Sequence, residues 1–204
     1  GLGKSIQEIM KPTTGNEKKY DTATFYSISN CQEGLTRVTL GNFLIKRVVY
    51  EIQEELPNIK NFGTLSPIPG FRDWFTTLDE GVIQNILGKI PYSTVSFLRS
   101  SSLKVGDGRI VSNKKAITKL VAHYLMNEKN KKDLPINDVC RFHLGNGAII
   151  DDIVINANVS EVGFNRSFGV MVNYLYELKN IEKNHEDYVN NKNIIISDKL
   201  KKLI

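Results

Sequence analysis

The sequence predicts an α/β domain, layered in the α+β manner. Three observations predict it. Runs rich in β-branched and aromatic residues recur at 22–29 (TATFYSIS), 62–65 (FGTL) and 170–178 (VMVNYLYEL), which is strand composition. Segments with helical apolar spacing separate them, clearest at 43–56 and 116–126. The overall composition is that of an ordinary globular protein, with 41% of 204 residues hydrophobic and 24% charged. A chain of that length can remove about 70% of its unfolded surface from water, so one large layered domain is expected.

Each element follows in order. Residues 11–21 are polar, contain Pro12 and Gly15, and read as a loop. A strand over 22–29 follows, then a second loop over 34–42. In 43–56 (FLIKRVVYEIQEEL) apolar residues at 44, 45, 48, 49, 52 and 56 share one helical face, with Pro57 just beyond. Asn42 is the expected N-cap, since its short side-chain oxygen can accept from the first free amides. A short strand at 62–65 leads into a stiff loop, 66–71 (SPIPGF), which holds two prolines and a glycine. Residues 72–135 read as mostly helical. Residues 141–148 (RFHLGNGA) read as a short extended piece entering a turn at Asn146-Gly147, and 170–178 as a strand. Beyond Glu182 the chain is polar, and residues of about 180–204 read as a peripheral tail. No internal repeat is found.

The net charge of +5 suits an anionic ligand. Nucleic acid is the general alternative, but there is no basic stripe with interleaved aromatics. The lysines at 129–132 and 199–202 read as solvated faces. Two cysteines, Cys31 and Cys140, make no disulfide framework and suggest a reducing compartment. No stretch approaches the ~20 apolar residues of a membrane span, the start lacks a signal-peptide core, and KKLI at the end is no peroxisomal address. The start without Met suggests a fragment of a longer protein.

Several residue groups could carry chemistry. GLGKS at the start lacks the earlier glycine and preceding strand of a phosphate-binding loop. No metal site is expected, because His123, His143 and His185 are widely spaced and no cysteine pair has ligand spacing. His185 reads as exposed and His123 as packed or solvated on its helix. His143 lies between Phe142 and Leu144 beside the glycine-rich turn, where a strand end can aim an acid–base group into a cleft. Ser66 precedes Pro-Ile-Pro-Gly, whose stiffness fixes its hydroxyl direction in advance. Cys140 lies three residues before His143. On a strand that spacing puts the two on opposite faces, so Cys140 is expected to be buried and inert. The loop 31–42, with Gly34 and Gly41, enters helix 43–56 and offers free amides and a positive helix end, which suit a pyrophosphate.

Six segments together resemble the malonyl-CoA decarboxylase family: SIQEI (5–9), FYSISNCQEGL (25–35), LGNFLIKRVVYEIQEELP (40–57), FGTLSPIPGF (62–71), RFHLGNGA (141–148) and GVMVNYLYEL (169–178). They occur in the family's order, and TLSPIPGF and FHL-x-NGA are specific to it. The resemblance implies that residues 1–204 are the catalytic domain, with an acyltransferase-like (GNAT-like) fold: a central mixed sheet flanked by helices. It implies Ser66 and His143 as catalytic, with Tyr176 near the acyl group. The acyl-CoA loop would comprise Thr36, Arg37, Val38, Thr39, Leu40, Gly41 and Asn42. Arg37 stands where the family pattern has glycine, and a guanidinium there can pair with a phosphate. The family's preceding helical domain, through which members oligomerise, is expected to be absent.

The resemblance further implies decarboxylation of malonyl-CoA to acetyl-CoA and CO2 in fatty-acid metabolism. No metal or organic cofactor is expected, because the thioester carbonyl is itself the electron sink; coenzyme A is part of the substrate. An unperturbed histidine, with a pKa of about 6.5, would make His143 the proton source. An acyl-CoA-dependent N-acyltransferase on the same fold and a non-catalytic CoA-binding module are the competing functions. The partner expected is malonyl-CoA, with neither nucleic acid nor membrane, in a bacterial cytoplasm or the mitochondrial matrix.

Overall fold

A computed structural model describes residues 1–11, 20–26 and 41–204, with the side chains of residues 41–44 and 46 left out. Four strands form one mixed sheet in the order β1-β2-β4-β3. β1 (Thr22–Phe25) runs parallel to β2 (Asn61–Pro67). β4 (Met171–Tyr176) is antiparallel to β2 and to β3 (Ile149–Val154). The helices supply the remaining layers, as the mixture of periodicities predicts.

The connection from β1 to its parallel neighbour carries α2 (Gly41–Glu55), whose Ile45 and Val49 are buried. This is the helix predicted over 43–56. It starts at Gly41, so Asn42 lies inside its first turn and is not its N-cap. The rest of the predicted strand 22–29 beyond Tyr26 lies outside the described residues, as do Cys31 and the loop 31–40.

β2 runs on through Ser66 and Pro67, where a loop is expected. Pairing explains the extension: β4 offers Val172 opposite Ser66 and Met171 opposite Pro67. Pro67 has no N–H to give, and the strand ends there. Gly70 then caps α3 (Phe71–Thr77) at a φ of 81°. A Cβ there would lie 2.8 Å from Tyr124 Oη, so glycine is required twice over. The predicted helical stretch resolves into α3, α4 (Glu80–Leu87), two short 3-10 turns, α5 (Gly108–Ser112) and α6 (Lys114–Met126).

Residues 138–145 form α7 (Asp138–Gly145), a helix and not the extended piece expected. Cys140, His143 and Leu144 lie at i, i+3 and i+4, one helical face, and all three are buried. The polar-apolar alternation in RFHL is too short to outweigh that face and the cap ahead of it. The predicted turn at Asn146-Gly147 follows, with Gly147 at a φ of 79° and only 2.0 Å between its would-be Cβ and the Ile181 carbonyl oxygen. β3 comes next. It was not anticipated, because Asp151 and Asp152 interrupt its apolar run, and a bulge there breaks the register.

α8 (Glu161–Ser167) precedes β4. The segment expected to be a peripheral tail forms α9 (Ile181–Asn191) and α10 (Asp198–Lys201) and buries Ile181, Tyr188 and Leu200. It packs because Ile181, Asn184 and Tyr188 share the buried face of α9 and Leu200 of α10 turns inward, while Val189 stays exposed. Strand alternation gives the sheet two unlike faces. Phe62, Thr64 and Ser66 with Val172, Tyr174 and Tyr176 face the main core. Leu65, Val154 and Met171 form a second small cluster with Ala157, covered by Ile6 and Ile9 of α1 (Ile6–Ile9). Leu2 fills the space that a side chain on Gly63 would need. Among the described residues, no helix is long and apolar enough to cross a membrane.

Candidate active site

Ser66 and His143, 77 positions apart, meet in the core. Ser66 Oγ lies 2.9 Å from His143 Nε2. His143 Nδ1 lies 2.8 Å from Tyr176 Oη. The Ser66 hydroxyl also donates to Thr64 Oγ1 at 2.9 Å. Three of the four groups come from one sheet face. β2 places Thr64 and Ser66 two residues apart, and β4 brings Tyr176 alongside in the register that sets Phe62 opposite Tyr176 and Thr64 opposite Tyr174. Relative exposure is 1% for Thr64, 5% for Ser66, 3% for His143 and 2% for Tyr176, so water competes little for these bonds.

α7 carries the imidazole, and Asn137 positions α7. Its side-chain oxygen accepts from Cys140 N at 2.8 Å, the N-cap bond. Its amide donates to the Pro69 carbonyl at 2.9 Å, where Tyr124 Oη donates as well, at 3.0 Å. One side chain thus starts the histidine helix and ties it to the turn after Ser66. Tyr174 stacks on the imidazole, with centroids 4.3 Å apart and planes at 23°, and Phe142 meets it edge-on at 5.1 Å. The ring is held on its face, its edge and both nitrogens.

The electrostatics follow from burial. Burial desolvates the imidazolium and pushes its pKa down to about 3. The expectation of an imidazole titrating near 6.5 is corrected: at neutral pH the ring is uncharged and stores no acidic proton. Burial moves the Tyr176 phenol upward, so it keeps its proton and serves as a donor. Cys140 is buried, and its thiol is pushed up to about 12. It is inert, as expected, though for a different reason: it lies on a helix, not on the far side of a strand.

The other predicted positions divide. Thr36, Arg37, Val38, Thr39 and Leu40 lie outside the described residues. Gly41 and Asn42 open α2, with their side chains outside the description. His185 is half-buried and not exposed, because its Nδ1 donates to the Gly145 carbonyl at 2.6 Å. His123 stacks on Trp74. At the start of the chain, Ser5 of GLGKS caps α1 by accepting from Glu8 N. Among the described residues, no group of three or more His, Cys, Asp or Glu could hold a metal ion.

Thr64, Asn137 and Tyr174 escaped the sequence reading. Asn137 had a signal, since an Asn one residue before a helical face is a cap. Tyr176 also borders a cleft of about 700 Å³ lined by Tyr50, Lys60 and Lys179 among others.

Comparison with known proteins identifies the family. The family described as Malonyl-CoA decarboxylase C-terminal domain matches residues 1–204. The mitochondrial malonyl-CoA decarboxylases of Anser anser anser and Rattus norvegicus are 36% and 35% identical, over 98% and 100% of this chain. The chain spans 44% and 46% of their lengths. The crystal structure of malonyl-CoA decarboxylase from Rhodopseudomonas palustris superposes with a TM-score of 0.87 at 35% identity, covering 98% of this chain and 46% of that one. The one from Agrobacterium vitis gives 0.87 at 33% identity, covering 100% and 50%. With its full length matched and a third of its residues shared with relatives from birds, mammals and bacteria, the chain belongs to the malonyl-CoA decarboxylase family, in the part described as its C-terminal domain.

Proposed function

We propose that this chain decarboxylates malonyl-CoA to acetyl-CoA and CO2, with Ser66 and His143 as catalytic residues and Tyr176 beside the acyl group. The observation that carries the reading is the hydrogen-bonded contact of Ser66 and His143 in a dry site, within a chain whose relatives are named for that reaction.

The reaction asks for three things. The carboxylate must be turned so that its C–C bond aligns with the thioester π-system. Breaking that bond releases CO2 and leaves the electron pair as an enolate on the thioester, which needs donors at its oxygen. The enolate carbon must then take a proton. The Ser66 hydroxyl grips the carboxylate and afterwards stands next to the carbon that needs the proton. His143, uncharged at rest, does not act as a stored acid; it passes a proton between its two nitrogens' partners. A carboxylate brought against it would stabilise its charged form and ease that transfer. Desolvation of the carboxylate in the same site favours its loss. The thioester takes the electrons, so the chemistry calls for no cofactor. Residues 36–42 are proposed to hold the CoA phosphates, with the start of α2 directing its positive end at them.

The test is malonyl-CoA with no acyl acceptor, followed by mass spectrometry. Acetyl-CoA and CO2 in equal amounts support the reading. Binding without turnover supports a non-catalytic CoA module. Acyl transfer seen only after an amine is added supports an acyltransferase.

A further inference from the structure

Ser66 has one hydroxyl proton, and it is directed at Thr64 Oγ1. The same oxygen lies 2.9 Å from His143 Nε2. Two bare acceptors do not share that distance, so Nε2 carries a proton and donates to Ser66. An uncharged imidazole has a single N–H, which leaves Nδ1 an acceptor. The 2.8 Å contact to Tyr176 Oη is then the phenol donating to the ring. The four groups form a chain with one direction, from Tyr176 through His143 and Ser66 to Thr64. With the last link reversed, the Ser66 proton is free to turn to Nε2, and the ring can then take the Nδ1–H form.

We propose that Thr64 is a positioning residue: as the terminal acceptor it fixes the direction of this chain and holds His143 as its Nε2–H tautomer. The placement suits the task. Thr64 and Ser66 are i and i+2 on β2, so their side chains share a face by strand geometry alone. Thr64 is β-branched, which limits its χ1 and keeps Oγ1 where Ser66 needs it. At 1% exposure, no bulk water competes for the Ser66 proton. The stack of Tyr174 on the imidazole prevents the ring from turning away from either partner.

The consequence for turnover rests on the decarboxylase reading, whereas the tautomer does not. During turnover Ser66 swings its proton from Thr64 to the substrate, forming a bond from that proton to the acceptor as the Ser66 O–H bond breaks. Nε2–H, already aimed at the Ser66 oxygen, replaces that proton, Nδ1 takes the Tyr176 proton, and the phenol regains one from water in the adjoining cleft, so that the proton added to the substrate comes in the end from solvent. No charged imidazolium need form.

Long-range ¹H–¹⁵N correlation spectra of the ¹⁵N-histidine-labelled 204-residue chain test this. Three histidines give a short assignment, and His143→Gln identifies the signals that belong to His143. At pH 7 the wild type should show a protonated Nε2 and a bare Nδ1. Thr64→Val frees the Ser66 proton to move to Nε2, so the ring should shift to the Nδ1–H form. Its kcat should fall about tenfold or more, by analogy with other positioning contacts, while KM stays within about twofold. Thr64→Ser should restore both relative to Thr64→Val. A wild-type ring in the Nδ1–H form overturns the proposal, as does a folded Thr64→Val with an unchanged tautomer. If Thr64→Val does not fold, the wild-type tautomer and that of Thr64→Ser decide the matter. A wild type that leaves malonyl-CoA intact refutes the decarboxylase reading while the tautomer result stands by itself.

Discussion

On one side of the β2–β4 pair lie Thr64, Ser66, Tyr174 and Tyr176; on the other, one residue out of step, lie Leu65, Met171 and Asn173. The first face buries a polar chain under α7. The second buries a small apolar cluster under α1 and the first few residues. Asn173 serves that second face by binding backbone: its amide donates to the Thr64 carbonyl at 2.9 Å and to the Gly3 carbonyl at 3.2 Å. The strands are the same, so the contrast isolates what side chains add. The polar face must satisfy each donor and acceptor or lose stability. The apolar face needs only shape and area. Chemistry is expected from the first, and stability alone from the second.

The comparison can be broken most forcefully at Ser66. Ser66→Ala should lower kcat for malonyl-CoA by about 10² to 10⁴, the range for positioned acid–base groups, with the circular dichroism spectrum unchanged. The mirror experiment is Leu65→Ala, next in sequence and fully buried on the other face. It should cost about 2–5 kcal/mol in denaturant unfolding and leave kcat at 25 °C within about twofold.

Acid gives a third contrast. His143 has a folded pKa of about 3, below its ordinary 6.5. The unfolded chain therefore binds a proton that the folded one refuses. The contribution of neutral His143 is complete above pH 6.5 and is lost as pH falls toward 3. By pH 5 it amounts to about 2 kcal/mol. In urea melts, the loss of unfolding free energy between pH 7 and pH 5 should be about 2 kcal/mol larger for wild type than for His143→Gln, whereas Leu65→Ala should lose as much as wild type. The smallest effect is expected at Ser5, whose hydroxyl caps α1 over the apolar face. Ser5→Ala should lower unfolding free energy by about 1 kcal/mol with no change in turnover.

The two faces also explain what could be read from sequence. β4 and α6 were legible because their patterns are long and consistent with one period. Ser66 was placed in a loop because Pro67 follows it. The i, i+2 relation that links Thr64 to Ser66 exists only once β2 is known to run through Ser66. α7 is hard to tell from an extended piece in sequence, because Phe142, His143 and Leu144 span too few residues to set a period and its cap, Asn137, lies well ahead of them. The contact between Ser66 and His143 depends on pairing between distant strands and on the docking of α7. No local pattern encodes it; only the joint occurrence of TLSPIPGF and FHL-x-NGA pointed there. Burial moved the imidazole pKa far from its ordinary value, and burial is a property of the packed fold.

The most direct test of the account is a double-mutant cycle for acetyl-CoA release from malonyl-CoA with Ser66→Ala, His143→Ala and the pair together. If the two residues act as one unit, each single change should lower kcat strongly and the double change should add little to the larger of the two. Single variants that keep the wild-type rate would contradict the assignment of the chemistry to this face of the sheet.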